Sequence, residues 1–276
     1  MPQDIENKTL GLIAGMGYLP MAVAQEARHQ GYRVFAVGLE PVVDEAALRG
    51  YVDDLTLVNV AKLGTLIKTL KGAGLTEAVM AGKVPKSLLY KNKTMPDMRA
   101  VTFLLKLKDN NDDSILNALV EEFASEGITM RNITDFTSGM ITPVGLLTKK
   151  GLSKDEQKDI DFGFPLAKEI GRLDIGQTIV IKGRAVMAVE AIEGTDMAIR
   201  RGGELAGSGA VVIKTSKPNQ DKRFDYPAIG LDTIAAMKEV KARVLGLEAG
   251  NTLIVQKDAV IKEAQAAGIS IIGVKY

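Results

Sequence analysis

Short apolar runs alternate with amphipathic stretches through the first half of the chain. Runs such as Leu10–Ala14 and Arg33–Gly38 predict buried strands, because a strand covered on both faces has no polar side. Between these runs, apolar residues recur at helical spacing and predict helices. The predicted strands are Leu10–Ala14, Arg33–Gly38, Asp54–Asn59 and Ala78–Ala81, and the predicted helices are Met21–His29, Leu63–Lys71, Met98–Lys108 and Ser114–Glu126. This alternation predicts a Rossmann-like open parallel sheet.

The second half of the chain carries clear local signals. Ser153-Lys-Asp-Glu156 has the form of a capping box and predicts a helix that runs towards Gly171. Lys182–Arg184 joins two apolar runs and predicts a β-hairpin. Thr195 is predicted to cap a further helix, whose dipole Asp196 complements. The other predicted elements are the strands Thr178–Ile181, Ala185–Ile192, Ala210–Ile213, Val244–Leu247, Thr252–Val255 and Ser270–Val274, and the helices Leu231–Ala242 and Asp258–Ala267.

A segment rich in Gly, Pro, Ser and Thr, residues Thr137–Gly145, separates the two halves and is typical of a linker. We therefore predict a two-domain α/β protein. The N-terminal Rossmann-like domain covers residues 1–136, and a C-terminal α/β domain covers residues 146–276.

Composition narrows the chemistry that the chain can carry. Of its 276 residues, 46% are hydrophobic and 25% are charged, so a packed core is expected, and the formal net charge of +1 gives no reason to expect nucleic acid. The absence of cysteine excludes thiol nucleophiles, disulfides and cysteine-based metal sites. The single histidine, His29, is predicted at the end of a helix, which leaves acid–base work to Asp, Glu, Lys or Tyr. A metal would have oxygen ligands, which favours Mg²⁺ or Mn²⁺.

The sequence shows neither a secretory signal nor a membrane span. The acidic start, Met1–Glu6, is unlike a secretory signal, and no apolar run has the length of a membrane span. Together with the lack of cysteine, this predicts a cytoplasmic protein.

A glycine turn follows the first predicted strand. Gly15-Met-Gly17-Tyr-Leu-Pro20 leads into a helix, whose N-terminus can hold an anion through its free N–H groups and dipole. Pro20 stands where a dinucleotide fingerprint has its third glycine, although Glu40 after the second strand could still touch a ribose. Lys83 follows a later strand end, where ligands of open α/β sheets gather. It is either a phosphate contact or a solvated loop lysine.

Two charged segments of the second half are further candidates. The loop after the strand Ala210–Ile213 carries the cations Lys214, Lys217, Lys222 and Arg223 and the carboxylates Asp221 and Asp225. Such cations neutralise phosphate oxygens, and the carboxylates can bind Mg²⁺ or act as a base, unless the loop is merely solvated. Glu190, Glu193 and Asp196 gather at a strand end and a helix start. They could bind a metal, or Asp196 could hold Arg200 one helical turn away.

Four segments of the chain together resemble a known family. They are Gly11–Pro20, Gly82–Val84, Val189–Asp196 and Lys217–Gly230. This combination resembles the UDP-2,3-diacylglucosamine pyrophosphatases of some Gram-negative bacteria, the type unrelated to the calcineurin-like enzyme of the same step. The resemblance covers nearly the whole chain, and its last two segments are specific.

The resemblance implies a hydrolase of lipid A biosynthesis. Its members cleave UDP-2,3-diacylglucosamine into UMP and 2,3-diacylglucosamine 1-phosphate with Mg²⁺, and water attacks the phosphorus on the uridine side. The family has two domains with the substrate between them, which implies a nucleotide-binding first domain and a catalytic second domain. The essential aspartate lies within Gln220–Asp225; Asp225 is favoured, and Asp221 is kept as metal ligand or base.

The resemblance and the charge pattern together define the candidate residues. The substrate-binding candidates are Gly15, Gly17, Tyr18, Leu19, Pro20, Lys83, Thr195, Arg200, Lys214, Lys217, Gln220 and Arg223. The metal candidates are Asp221, Asp225, Glu193 and Asp196. Expected partners are the lipid substrate, the inner-membrane surface by peripheral contact, and a second copy in a homodimer. The alternatives are a nicotinamide-dependent oxidoreductase and a non-catalytic sensor of nucleotide sugars.

Overall fold

The computed structural model describes residues 8–85, 95–107, 112–218 and 226–276. The described residues form two compact units, one up to Thr137 and one from Ser138 onwards. They are called here the N-terminal unit and the C-terminal unit. Among the described helices, none is long and apolar enough to cross a membrane.

The N-terminal unit is built on a parallel sheet. Its strands are β1 (Thr9–Ala14), β2 (Arg33–Glu40), β3 (Asp54–Asn59), β4 (Glu77–Ala81) and β5 (Thr129–Met130). Its helices are α1 (Leu19–His29), α2 (Glu45–Leu48), α3 (Leu63–Gly72), α4 (Met98–Lys106) and α5 (Asp112–Ser125), followed by a 3-10 turn at Ile133–Phe136. The strand order is β3-β2-β1-β4-β5, and every pair is parallel. The predicted open parallel sheet is confirmed.

Apolar patterning explains why these strands lie in the middle of the unit. Leu12, Ile13, Ala36 and Val37 are all buried, and because consecutive residues of a strand point to opposite faces, both faces of these strands are covered. On α1, the buried residues include Met21, Val23, Ala24 and Ala27, which pack this helix onto the sheet. The carboxyl ends of β1 and β4, which are neighbours in the sheet, therefore reach the same edge.

The C-terminal unit contains a mixed sheet and a small parallel pair of strands. Its strands are β6 (Gly145–Leu146), β7 (Thr178–Lys182), β8 (Ala185–Val189), β9 (Val211–Lys214), β10 (Ala228–Ile229), β11 (Val244–Glu248), β12 (Leu253–Ile254) and β13 (Ser270–Val274). Its helices are α6 (Lys154–Arg172), α7 (Thr195–Ala206), α8 (Leu231–Glu239) and α9 (Lys257–Ala266), with a 3-10 turn at Ser138–Met140. The main sheet has the order β6-β13-β11-β9-β7-β8, and β10 pairs with β12.

Both faces of the main sheet are covered by helices. Alternate residues of β7 point to opposite faces. Ile179 and Ile181 pack with Ile160 and Phe164 of α6, whereas Val180 belongs to the cluster that contains residues of α7, α8 and α9. This two-faced core confirms the predicted C-terminal α/β arrangement.

Several local predictions for the C-terminal unit are confirmed. Ser153 and Glu156 form both hydrogen bonds of a capping box at the start of α6. β7 and β8 form the antiparallel hairpin expected around Lys182–Arg184. The carboxylate of Asp159 accepts hydrogen bonds from the amides of Gly183 and Arg184 at 3.0 and 2.6 Å, and so holds the hairpin turn onto α6.

Other predicted boundaries were wrong. Thr195 does not cap α7, because Gly194 occupies the N-cap position with a φ of 85° and no side chain caps the helix. β8 ends at Val189 rather than at Ile192, and α8 ends at Glu239 rather than at Ala242. The hydroxyl of Thr195 instead donates to Glu190 Oε1.

Candidate functional site

Two loops meet at the carboxyl ends of β1 and β4. The amide of Gly15 donates to the carbonyl of Ala81 at 2.8 Å, and Met16 and Lys83 exchange two backbone hydrogen bonds of 2.9 Å. The two predicted phosphate-contact elements, the glycine turn and Lys83, therefore lie side by side. We call Gly15–Tyr18 together with Gly82 and Lys83 the glycine cradle.

Close backbone contact requires glycine in this cradle. A Cβ atom on Gly82, whose φ is +90°, would lie 2.8 Å from both the carbonyl carbon of Gly15 and the oxygen of Met16. A Cβ atom on Gly15 would lie 2.9 Å from the oxygen of Lys83. Gly17 differs, because its φ is +95° but nothing lies within 4 Å of its Cβ position. Gly17 is thus needed for backbone conformation, and the space beside it is open.

The glycine cradle leads into a helix start suited to an anion. Tyr18 is the N-cap residue of α1, but its side chain forms no capping hydrogen bond with the helix amides. The first turn of the helix contains Pro20 and no acidic residue. The hydroxyl of Tyr18 lies 3.0 Å from that of Tyr51. Lys83 is exposed, and within the described ranges no carboxylate pairs with it. A helix N-terminus beside an available cation favours a negatively charged ligand.

A buried lysine forms the centre of the second site. Lys214, the last residue of β9, is only 3% exposed. Its ammonium group donates to the hydroxyl of Thr195 at 2.7 Å and to the hydroxyl of Thr178 at 3.3 Å. The hydroxyl of Thr195 donates in turn to Glu190 Oε1 at 2.9 Å, and Glu190 Oε2 lies 4.0 Å from the lysine nitrogen. We call these four residues the Lys214 centre.

Strand pairing assembles the Lys214 centre from separate segments. Thr178 and Lys214 face each other in the antiparallel pair of β7 and β9. The amide of Glu190, the residue after β8, donates to the carbonyl of Thr178 at 2.8 Å. Thr195 begins α7. Gly176 makes this convergence possible, since a Cβ atom there would lie 2.0 Å from the oxygen of Glu190.

The structure separates the three acids that the sequence groups together. Glu190 belongs to the Lys214 centre, whereas Glu193 pairs with Arg201 at 2.5 Å and Asp196 accepts a hydrogen bond from Thr233 at 3.2 Å. No cluster of three potential carboxylate or histidine ligands occurs among the residues that the structure describes. Glu193 and Asp196 are each engaged with a different partner, and their predicted metal role stays a prediction.

Of the two alternatives for the acids near Thr195, the i,i+4 ion pair between Asp196 and Arg200 is not formed. The guanidinium group of Arg200 binds the carboxylate of Glu239, on α8, with N–O distances of 2.6 and 3.2 Å. Glu239 raises the pKa of Arg200, and Arg200 lowers the pKa of Glu239. The proposed contact of Arg200 with substrate is untested, but the side chain is occupied on the helix surface.

The loop that follows β9 and carries the charged residues from Lys217 to Asp225 is called here the charged loop. The described residues at its two ends are held in place. Lys217 pairs with Asp174, and the hydroxyl of Tyr226 donates to the carbonyl of Gly250 at 2.6 Å. Burial, followed by the nearby charge of Glu248, raises the pKa of Tyr226 and keeps it a donor. The candidates Gln220, Asp221, Arg223 and Asp225 lie outside the described residues, and their roles stay predictions.

Sequence reasoning found Lys214 and Thr195 but missed Thr178, Lys168 and Glu248. Thr178 could be recognised only through its register with Lys214, which depends on the long-range pairing of β7 with β9. Lys168, which is half-buried, and Glu248, which is buried, form an ion pair between α6 and the end of β11. A charged residue that ends an apolar strand, as Glu248 does, was the available signal.

The glycine cradle predicts a difference between two alanine substitutions. Both Gly82→Ala and Gly17→Ala place a side chain at positive φ, but only the first also forces it into backbone atoms. Gly82→Ala is expected to lower the free energy of unfolding by roughly 1–3 kcal/mol more than Gly17→Ala, the usual scale of overpacking. Urea denaturation of both variants measures this difference, and equal losses would contradict the close packing of the cradle.

Nearly the whole chain matches one protein family. Residues 9–140 match the family model described as the LpxI N-terminal domain, and residues 143–272 match the LpxI C-terminal domain. The chain is 36% identical over 280 residues to the UDP-2,3-diacylglucosamine pyrophosphatase LpxI of Caulobacter vibrioides. That alignment covers 97% of this chain and 98% of that protein.

Similarity to solved structures is weak by comparison. The biotin carboxylase subunit of pyruvate carboxylase aligns over 67% of this chain and 38% of its own, with 11% identity and a TM-score of 0.27. The structure of gox2253 aligns over 96% of this chain and 84% of its own, with 10% identity and a TM-score of 0.30. These likenesses carry no argument about function.

Proposed function

The chain belongs to the LpxI family, and we propose that it hydrolyses UDP-2,3-diacylglucosamine in lipid A biosynthesis to UMP and 2,3-diacylglucosamine 1-phosphate. Support comes from the 36% identical relative, which carries this pyrophosphatase name and aligns over 97% of the chain. Matches to both family domains cover the two units. In the proposed reaction, water attacks the uridine-side phosphorus.

The Lys214 centre is the single structural observation that best supports diphosphate chemistry. Hydrolysis of a diphosphate needs neutralised charge and a placed water more than a covalent nucleophile. In the low-dielectric surroundings of a buried site, a lysine stabilises a phosphoryl oxygen more strongly than it would in water. We assign to Lys214 the contact with a phosphoryl oxygen of the substrate, and to Thr178 and Thr195 the role of fixing its ammonium group.

Glu190 fits this assignment as the balancing charge. A charged group as buried as Lys214 needs an opposite charge nearby, because burial without one is costly. Glu190 is linked to Lys214 through Thr195 and lies 4.0 Å from it, close enough to favour the ammonium form but not in direct hydrogen-bond contact. The proposed centre therefore keeps a positive charge available where the substrate diphosphate would lie.

The glycine cradle is proposed to bind the nucleotide end of the substrate. Its uncapped helix start and Lys83 suit the phosphate of UMP, and the space beside Gly17 admits a ligand close to the backbone. Tyr18, Leu19 and Pro20 complete this contact in the proposal. Pro20 lies within the first turn of α1, which keeps the cradle distinct from a dinucleotide fingerprint.

Mg²⁺ is proposed as the metal because the chain has no cysteine and one histidine, so its plausible metal ligands are oxygen atoms. Among the described residues, Glu193 and Asp196 fit a shared ion poorly, since Arg201 and Thr233 hold them in separate contacts. The metal role is therefore assigned to Asp221 and Asp225. When bound, Mg²⁺ would supply further positive charge for the diphosphate oxygens.

Peripheral membrane contact is proposed for one face of α4. Met98, Val101 and Leu105 lie at helical spacing on this face, and Met98 and Leu105 are each 82% exposed, while Phe103 is buried. The helix contains no acidic residue and ends at Lys106. An exposed apolar face with a basic residue at its end suits a surface that meets anionic lipid, where a diacylated substrate also resides. Homodimer formation stays a prediction.

The activity itself is tested by product analysis. With UDP-2,3-diacylglucosamine and Mg²⁺, the protein is expected to release UMP rather than UDP, as separated and quantified by liquid chromatography. Excess EDTA should stop the release, and Mg²⁺ added beyond the chelator should restore it. Undiminished turnover in EDTA would contradict the metal requirement, whereas no UMP under any divalent ion would overturn the proposed function.

Membrane contact is tested by sedimentation with vesicles of an anionic phospholipid. The double substitution Met98→Glu and Leu105→Glu is expected to reduce the bound fraction several-fold, because it places two charges at the lipid surface. Leu173→Glu, a change at an exposed leucine of the C-terminal unit, serves as the control and should bind as the unmodified protein does. Equal binding by all three proteins would remove α4 from the proposal.

A further inference from the structure

A buried ion pair holds Ser216, two residues after Lys214, by all three of its polar groups. The Ser216 amide and hydroxyl donate to Glu248 Oε2 at 2.8 and 3.1 Å, and the Ser216 carbonyl accepts from Lys168 at 2.9 Å. The neighbouring amide of Thr215 donates to the carbonyl of Gln177 at 2.9 Å. The backbone that leaves β9 is therefore fixed directly beyond Lys214.

Glu248 is the hub of this arrangement. Besides Ser216, its carboxylate accepts hydrogen bonds from Lys168, at 2.9 and 3.1 Å, and from Asn251 at 2.7 Å. Burial opposes the ionised form, but the hydrogen bonds from Lys168, the Ser216 amide and Asn251 outweigh it and hold the pKa of Glu248 below its usual range. The carboxylate is only 4% exposed, yet stays charged at neutral pH.

The turn that begins at Glu248 also holds the chain on the other side of the charged loop. Tyr226 donates its hydroxyl to the carbonyl of Gly250, and the amide of Leu253 donates to the carbonyl of Pro227 at 2.8 Å. Residues 216 and 226–227 are thus both anchored to residues 248–253.

Stability alone is a weak reason for such a pair. A buried ion pair gains little over well-packed apolar residues, because both charges must leave water. Glu248 and Lys168 instead both bond to one residue, Ser216, two residues after the proposed phosphate-contact lysine. This geometry favours a role in placement of the strand end.

We propose that Glu248 is a positioning residue for the hydrolysis, and that it acts through Ser216 rather than by touching the substrate. Together with Lys168 it fixes the exit of β9, and so the placement of Lys214 relative to the reacting phosphate. This inference rests on the proposed function. A positioning residue affects turnover more than substrate affinity, since small displacements weaken transition-state contacts most.

The test compares steady-state UMP release by the unmodified protein, Glu248→Gln, Ser216→Ala and Glu169→Gln. Glutamine keeps the size of Glu248 but removes the charge that faces Lys168. Glu169 is the control, because it follows Lys168 on α6 and forms an exposed ion pair with Arg172. Ser216→Ala removes only one of the hydrogen bonds to Glu248 and serves if the first variant fails to fold.

Glu248→Gln is expected to lower kcat by about tenfold or more, the scale of a lost hydrogen bond to a charged group, while KM changes by less than about threefold. Amide exchange at Ser216 should accelerate in the same variant. Ser216→Ala should lower kcat by a few-fold, and Glu169→Gln should leave it unchanged.

Several results would overturn the inference. One is a folded Glu248→Gln protein whose kcat lies within about twofold of the unmodified value. Another is a rise in KM alone. If Glu248→Gln does not fold, an unchanged kcat in Ser216→Ala is decisive against it. An unmodified protein that releases no UMP would instead show that the proposed function is wrong.

Discussion

The positive charge of Lys214 is the constraint around which the C-terminal unit is arranged. A lysine that is 3% exposed must have hydrogen-bond acceptors and a balancing carboxylate, because a buried charge without them would destabilise the fold. Thr178, Thr195 and Glu190 meet that requirement from the start of β7, the start of α7 and the residue after β8. Gly176 leaves room for the backbone of Glu190, and the pairing of β7 with β9 places Thr178 opposite Lys214. Together these features hold the cation in a fixed position at the end of β9.

In the N-terminal unit, backbone groups rather than buried side chains form the candidate anion site. Its glycine cradle offers a helix start and one exposed cation at the carboxyl ends of parallel strands, the place where open α/β sheets bind ligands. Gly82 allows the two loops to touch, and Gly17 allows the turn that precedes α1. A phosphate can be held there by backbone amides and Lys83.

Local signals in the sequence predicted most of the fold. The apolar runs of β1 and β3, the capping box at Ser153 and the hairpin at Lys182–Arg184 all depend on neighbouring residues, and all are confirmed. Local signals failed where a residue from another element was the actual partner. Arg200 binds Glu239 of another helix rather than Asp196. The hydroxyl of Thr195 donates to Glu190 rather than capping the helix. Strand register and tertiary contacts decide these cases, and neither can be derived from spacing along the chain.

The role of Lys214 is measured most directly with a matched pair of lysine variants. Lys214→Met removes a lysine at one end of the β7–β9 pair and Lys182→Met removes one just beyond the other end. In the described part of the chain, Lys182 donates to the carbonyl of Gly209. Lys214→Met is expected to lower kcat/KM for UMP release by about 10²-fold or more, as loss of one preorganised charge-stabilising group does. Lys182→Met should stay near the unmodified value. A folded Lys214→Met protein with nearly unmodified kcat/KM would contradict the assignment of the diphosphate to the Lys214 centre.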